Sequence, residues 1–391
     1  MKTLLNIFHL LAALTLCTAL SAAAEPVSRP FALGLTPMNF DDSRAGTERM
    51  KRLLREHAEV VALYFDYGVP WPEAFAGKPF HANVQKEIAA AKQRIGPRHK
   101  VFLALNAGAF NRRDMAPYWG AEQGAPRPEL WADKSLDDPE VIAAFGNYCE
   151  RMIRTFKPDY LCYAIEINMM AGANPKLFEK LLTLVAQVYP RLKKAHPKLL
   201  IFPTMQRDFH NGPDDGTVKA LRRLLPFSDA VAVSTYPHLR GFTAATLPAN
   251  WFSSLRDVAP DKPFIIAETG FPAERYEGKW FNQPMTVAGT PQMQRDYVHR
   301  LLGDAHRLNA RLVNWFFPED INAYLRRQLA LVDDPAKKAE ANVLLHGQDL
   351  EAMRGLAASF SNIGLCDDWH QPRPAMEDWD VWRTLPMKAA K

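Results

Sequence analysis

The chain has 391 residues, of which 48% are hydrophobic and 23% are charged, and its formal net charge is +5. This balance excludes a disordered chain, a collagen and a coiled coil, and four cysteines are too few for a disulfide scaffold. Lysine and arginine are spread along the chain instead of forming a basic block, so we expect no nucleic-acid partner.

The N-terminal segment has the layout of a secretory signal peptide. Lys2 supplies a positive charge, residues 4–20 are mostly apolar, and small residues lead to a cleavage site after Ala24. A membrane anchor is the alternative, but the apolar stretch is short for a span. We therefore expect residues 1–24 to be removed. Residues 25–391 would then be an exported protein, periplasmic or extracellular, without stable membrane insertion.

Eight short apolar runs follow, and segments with helical periodicity separate them. The runs are Phe31–Asn39, Val60–Asp66, Val101–Asn106, Tyr160–Asn168, Leu199–Met205, Ala230–Tyr236, Phe264–Glu268 and Leu312–Phe317. The helical candidates include Asp138–Phe156, Pro175–Ala195, Thr217–Leu225 and Pro291–Leu308. This alternation predicts an α/β fold, a (β/α)8 or TIM barrel in a single domain. A doubly wound sheet is the alternative, but the chain lacks the glycine-rich phosphate loops of its nucleotide-binding forms.

The C-terminal part does not continue the alternation. Residues 322–355 predict an irregular, mostly helical excursion after the eighth strand. The tail Asp367–Trp382 is rich in tryptophan and proline, and we expect it to pack back on the barrel.

Two glutamates close predicted strands, at the end where barrel enzymes carry their catalytic groups. Glu166 ends the fourth strand and Glu268 the seventh; strict alternation puts Glu166 on the face of Cys162 and Glu268 on that of Phe264. A glutamate at the end of an apolar strand is costly to bury unless it is paired or used, so a structural ion pair is the alternative. Two carboxylates at one site suit glycoside hydrolysis, in which one donates a proton and the other is ionised.

The segments around these glutamates resemble those of the clan of retaining (β/α)8 glycoside hydrolases that includes endo-β-1,4-galactanases, cellulases and β-1,3-glucanases. Ile165-Glu-Ile-Asn168 is similar to the N-E-x-N segment of that clan, and Ile266-Ala-Glu-Thr-Gly-Phe-Pro272 to its E-T-G-[WY]-P segment. Ser234-Thr-Tyr-Pro237 resembles the segment whose tyrosine hydrogen-bonds the nucleophile. Asn314-Trp315 resembles the segment whose tryptophan lies under the sugar at the cleavage point.

The resemblance implies retaining hydrolysis of a β-linked polysaccharide or oligosaccharide, with no cofactor. Glu166 would be the acid/base and Glu268 the nucleophile, Tyr236 would orient Glu268, and Trp315 would stack on the sugar. One position departs from the clan: an asparagine usually precedes the acid/base and binds the sugar 2-hydroxyl, whereas this chain has Ile165. The departure motivates one alternative, a carbohydrate-binding barrel that has lost catalysis. A transglycosylase that remodels an exported glycan is a second alternative.

Further polar residues near strand ends are candidate substrate contacts. They are Asp66, Asn106, Asn168, Gln206 and His238. Each also has a structural explanation, such as a turn for Asp66 or a surface position for His238. The sequence has no H-E-x-x-H and no C-x-x-C, so we expect no metal site. The sequence does not indicate which sugar is bound, which linkage is cleaved or what the oligomeric state is.

Overall fold

A closed barrel of eight parallel strands forms the centre of the molecule, which confirms the predicted fold class. The computed structural model describes residues 28–38, 43–280, 283–334, 336 and 359–388. The predicted signal peptide and most of the second half of the predicted excursion lie outside these residues.

The barrel strands overlap the eight predicted apolar runs. In chain order they are β1 (Ala32–Leu35), β2 (Val60–Phe65), β3 (Lys100–Leu105), β4 (Tyr160–Ala164), β5 (Leu200–Gln206), β6 (Val231–Thr235), β7 (Phe264–Thr269) and β10 (Leu312–Trp315). Each strand pairs with its neighbours in sequence, and β10 closes the ring between β7 and β1. Strands β8 (Tyr276–Trp280) and β9 (Gln283–Val287) form a separate antiparallel hairpin after β7, which the sequence analysis did not predict.

Helices surround the barrel in the intervals between strands. They are α1 (Arg44–His57), α2 (Trp71–Ala76), α3 (Ala82–Lys92), α4 (Glu129–Ala132), α5 (Pro139–Phe156), α6 (Ile167–Ala173), α7 (Pro175–Ala195), α8 (Gly216–Leu224), α9 (Ser253–Arg256), α10 (Pro291–Arg307), α11 (Asn322–Asp333) and α12 (Pro374–Thr384). The start of α10 shows why these segments are helical: Thr290 Oγ1 accepts the Met293 amide at 3.1 Å, and Pro291 follows the cap. Among the described residues, no helix is long and apolar enough to cross a membrane.

Two apolar layers hold the fold together. The inner layer fills the barrel with side chains from alternate strand positions, among them Ala62, Phe102, Cys162 and Phe202. The outer layer lies between the strands and the helices. The barrel is therefore a packed core, and only its carboxyl end is left to form a site.

The C-terminal segment packs on the barrel, as the sequence analysis predicted for Asp367–Trp382. Helix α12 lies against α10 and α1. Trp379 Nε1 donates to the His57 carbonyl at 2.9 Å, and the Trp382 ring lies 5.6 Å from that of Phe31.

Candidate active site

Glu166 lies just beyond β4 and has an unusual backbone conformation. Its φ is 53° and its ψ is 45°, in the left-handed region that non-glycine residues seldom adopt. The Glu166 amide donates to Thr204 Oγ1 at 2.9 Å, so a neighbouring strand holds this conformation in place. Backbone strain of this kind concentrates at functional sites.

A register shift explains how the chain reaches this position. The pairing of β4 with β5 shifts between Cys162 and Ala164. Cys162 faces the barrel interior as predicted, but Ala164 packs in the outer layer and Ile165 in the inner one. Strict alternation from Cys162 therefore fails at Ala164, which does not share the face of Cys162.

Both carboxylate oxygens of Glu166 have polar partners. Arg112 contacts Oε2 through Nε at 3.3 Å and Nη2 at 3.1 Å, and Gln206 Nε2 donates to Oε1 at 3.4 Å. The Glu166 side chain is only 12% exposed. This carboxylate therefore belongs to a mostly buried charged network.

The network continues through Arg112 to Asp66 and Asn106. Arg112 Nη1 donates to Asp66 Oδ2 at 2.7 Å, and Asn106 Nδ2 donates to Asp66 Oδ1 at 2.7 Å. Burial raises the pKa of Asp66, and the positive charge of Arg112 opposes that shift. The predicted residues Asp66 and Asn106 thus meet Glu166 through Arg112, which the sequence analysis missed.

Glu268 lies on β7, where the strand pairing is irregular on both sides. The register with β6 shifts between Val233 and Ser234, and that with β10 shifts between Val313 and Trp315. The Tyr236 hydroxyl donates to Glu268 Oε1, as the resemblance implied. Asp208, which follows β5, accepts the Tyr236 amide at 2.8 Å and so fixes the backbone that carries this tyrosine.

The two glutamates interact electrostatically. Burial raises the pKa of Glu268 to about 8, and the negative charge of Glu166 adds to this effect. The hydrogen bond from Tyr236 and the charge of Arg112 oppose the shift. The Glu268 carboxyl therefore favours its neutral form near neutral pH.

Aromatic rings line the same end of the barrel. The Phe316 ring lies 5.8 Å from that of Tyr64 and 6.2 Å from that of Tyr236, and Phe360 lies 4.5 Å from Tyr236. Trp315 is fully buried instead, and its indole Nε1 donates to the Ile363 carbonyl at 2.8 Å. Phe316 therefore has the place beside the glutamates that the resemblance gave to Trp315.

The remaining predicted contacts lie close to the site but already have partners or are enclosed. Asn168 Nδ2 donates to the Gln206 carbonyl at 2.8 Å and to Thr217 Oγ1 at 3.1 Å, and Asn168 Oδ1 accepts the Gln206 amide at 2.7 Å. Asn168 thus connects α6 to β5 and α8.

His238 is 2% exposed, so its alternative explanation as a surface histidine is wrong. Burial lowers the pKa of His238 to about 3, which keeps the ring neutral between Tyr236, Phe271 and Phe360. Within the described part of the chain, no group of three or more His, Cys, Asp or Glu side chains could hold a metal ion.

Neither a protein-family model nor a curated protein matches this sequence. Solved structures do match it. A GH5_18 protein from Streptomyces cattleya in complex with GlcNAc is 17% identical, with a TM-score of 0.60 over 93% of this chain and 83% of that one. A GH5_18 variant from Bifidobacterium longum in complex with Manβ1-4GlcNAc is 14% identical, with a TM-score of 0.57 over 92% and 80%.

A family 39 glycoside hydrolase from Bacteroides cellulosilyticus is 15% identical, with a TM-score of 0.54 over 92% of this chain and 64% of that one. These neighbours are (β/α)8 glycoside hydrolases, in agreement with the resemblance seen in the sequence. At these identities the likeness establishes the shared barrel fold.

Proposed function

We propose that this protein is a glycoside hydrolase that cleaves β-glycosidic bonds of a polysaccharide or oligosaccharide by a retaining mechanism. One observation carries the proposal: Glu166 and Glu268 come from the ends of β4 and β7 and interact in one mostly buried site at the carboxyl end of the barrel. The ligands of the two GH5_18 structures, GlcNAc and Manβ1-4GlcNAc, support a carbohydrate as the substrate class.

In the first step, Glu268 attacks the anomeric carbon while Glu166 gives its proton to the glycosidic oxygen. The bond between that carbon and oxygen breaks, the leaving sugar departs as an alcohol, and a glycosyl ester forms on Glu268. In the second step, Glu166 takes a proton from water, the water oxygen attacks the same carbon, and Glu268 is released as a carboxylate. Tyr236 donates to Oε1 of Glu268 and so orients this carboxyl for the attack.

The proton of the pair must lie on Glu166 when the first step begins. Burial favours the neutral form of Glu268, whereas Arg112 donates to Oε2 of Glu166. The positive charge that develops on the sugar ring stabilises ionised Glu268. The transition state therefore favours ionised Glu268, which the attack on the anomeric carbon requires.

A second candidate function is a carbohydrate-binding barrel without catalysis. Ile165 is 2% exposed and packs inside the barrel, so it offers a sugar neither a donor nor an acceptor. Both oxygens of Glu166 also have partners within the protein. This candidate predicts glycan affinity without turnover.

We also propose that residues 1–24 direct export to the periplasm or the medium and that residues 25–391 form the barrel domain. The charged start, the apolar stretch and the small residues before Glu25 support this proposal. Sequencing of the N-terminus of the protein recovered outside the cytoplasm tests it. A mature chain that still begins at Met1 would contradict it.

The function is tested by reducing-sugar release from β-linked glucans, galactans, mannans and xylans. We expect wild type to release sugar from at least one polymer, and Glu166→Gln and Glu268→Gln to abolish release. Glu129→Gln, on the exposed start of α4, is the matched control and should match wild type. Full activity in either active-site variant would refute the assignment. Binding of a polymer without release would support the binding barrel.

The stereochemistry is tested on whichever substrate is cleaved. Proton NMR of the first product formed should show the β-anomer, because two displacements at one carbon restore the configuration. An α-anomer as first product would exclude the glycosyl-enzyme on Glu268.

A further inference from the structure

Arg112 has the closest charged contact with Glu166. It lies in the loop after β3 with a φ of 57°, and it is only 5% exposed. All three guanidinium nitrogens are engaged: Nε and Nη2 with Glu166 Oε2, and Nη1 with Asp66 Oδ2 and the Ala109 carbonyl. The Arg112 guanidinium is therefore held by Glu166 on one edge and by Asp66 on the other.

This fixation is built from several parts of the barrel. Asp66 at the end of β2 is itself held by Asn106 after β3. Asn106 Oδ1 in turn accepts the Ile165 amide at 3.4 Å, next to Glu166. Asp66 and Asn106 therefore connect the Arg112 guanidinium to the backbone next to Glu166. This connection fixes the position of Arg112 relative to the Glu166 carboxylate.

The other ionisable groups that influence Glu166 are acidic. They are Glu268 on β7, Asp208 after β5, Tyr236 after β6 and Tyr64 on β2, while Asp66 after β2 shares Arg112 with Glu166. Gln206 is the neutral donor on Glu166 Oε1. Among the described residues in direct contact with Glu166, Arg112 is the positive charge that favours ionisation of this carboxyl.

We propose that Arg112 is a positioning residue that fixes the Glu166 carboxyl in place, favours its ionised form over its protonated form, and thereby sets the pH range of acid catalysis. The inference rests on the proposed function, in which Glu166 is the acid/base. The ionised form is the base that the second step needs, whereas the first step needs the protonated acid. Arg112 therefore favours release of the glycosyl-enzyme and opposes protonation of the leaving group.

The inference is tested by ¹³C NMR titration of the glutamate carboxyl carbons, with the Glu166 signal assigned by its absence in Glu166→Gln. In Arg112→Gln we expect the titration midpoint of Glu166 to rise by about 1 to 3 pH units, because an opposite charge at this distance is lost. Arg113→Gln, the exposed neighbour in the same loop, is the matched control and should leave the midpoint unchanged.

A second variant covers the possibility that Arg112→Gln does not fold. Arg112→Lys keeps the charge but loses the fork that spans Glu166 and Asp66, so we expect a smaller rise in the midpoint. A midpoint unchanged from wild type in the folded variants would overturn the inference. A merely structural role for Arg112 would change stability and leave this midpoint in place.

The kinetic counterpart uses an aryl β-glycoside of whichever sugar is cleaved. In Arg112→Gln the limb of the kcat/KM profile that follows Glu166 should move to higher pH in step with the carboxyl titration, and a limb that stays in place contradicts the inference. The titration itself requires no substrate. If Glu166→Gln and Glu268→Gln keep full activity, the proposed function fails, whereas the titration still decides whether Arg112 controls this carboxyl.

Discussion

Replacing Glu268 by glutamine should stabilise the protein, and the gain should grow as the pH rises. Glu268 is 9% exposed, and its burial and the charge of Glu166 raise its pKa from 4.5 to about 8. The folded state thus holds this proton more tightly than the unfolded state. The contribution of the Glu268 carboxyl to the free energy of unfolding is complete below about pH 4.5 and is lost as the pH rises through about 8.

The size of the effect follows from the same shift. One pKa unit corresponds to about 1.4 kcal/mol, so complete ionisation of a carboxyl displaced this far costs up to about 5 kcal/mol. Part of this cost is the repulsion between Glu268 and Glu166, which involves both residues and not Glu268 alone. We therefore expect the free energy of unfolding of Glu268→Gln to exceed that of wild type by about 2 kcal/mol at pH 9 and to differ little from it at pH 5.

Urea unfolding followed by circular dichroism, at pH values from 5 to 9, measures this difference. Glu129→Gln, with its exposed carboxyl, is the control and should show no comparable pH-dependent gain. A gain for Glu268→Gln that is equal at pH 5 and pH 9 would refute the reasoning, as would a variant less stable than wild type at pH 9.

Three further substitutions probe the surroundings of the glutamates. Tyr236→Phe removes the donor to Glu268, so the limb of the kcat/KM profile that follows Glu268 should move to higher pH and kcat/KM should fall about tenfold or more. Tyr163→Phe, which removes a hydroxyl bonded to a backbone carbonyl outside the site, should leave that limb in place. Phe316→Ala should raise KM for oligosaccharides about tenfold through loss of an aromatic surface, and an unchanged KM would show that this ring does not contact sugar. Ile165→Asn places an amide in the apolar barrel interior and should lower the free energy of unfolding in urea by about 1–3 kcal/mol; an undiminished value would show that polar partners exist there.

The barrel could be predicted from sequence because its strands are covered on both faces. Strands of that kind are continuous apolar runs, and the eight runs alternate with amphipathic segments whose starts carry recognisable caps. Glu166 and Glu268 were found because each closes such a run with a charge. Tyr236 was found through the segment that resembles a known one, and its contact with Glu268 agrees with that prediction.

Arg112 could not be predicted because nothing in the sequence separates it from Arg113. The two arginines are adjacent in a polar loop, yet the first is buried and the second exposed. The difference depends on Asp66, which lies 46 residues earlier and meets Arg112 only in the closed barrel. The placement of Trp315 was missed for a related reason, since a one-residue shift in strand pairing moves every later side chain to the other face.

The register shifts in β4 and β7 interrupt the alternation of side chains between the two faces, and the same shifts create the site. Strict alternation from Ile265 and Ala267, which face the interior, would turn Glu268 outward with Ile266. The extra residue at the shift allows Glu268 to face its partners, but a bulge leaves backbone groups outside the regular ladder. The Ala267 carbonyl accepts from Tyr64 and from Asn314, each at 3.0 Å.

The end of β4 repeats this arrangement. There the backbone amides of Ile165 and Glu166 donate to Asn106 and Thr204 side chains. Polar residues at the mouth therefore fall into two groups. Those that replace ladder hydrogen bonds hold the two glutamates in place, and those that contact the carboxylates, such as Arg112 and Tyr236, control their charge. A sequence pattern identifies polar residues at strand ends, but only the register of the closed barrel decides to which group each one belongs.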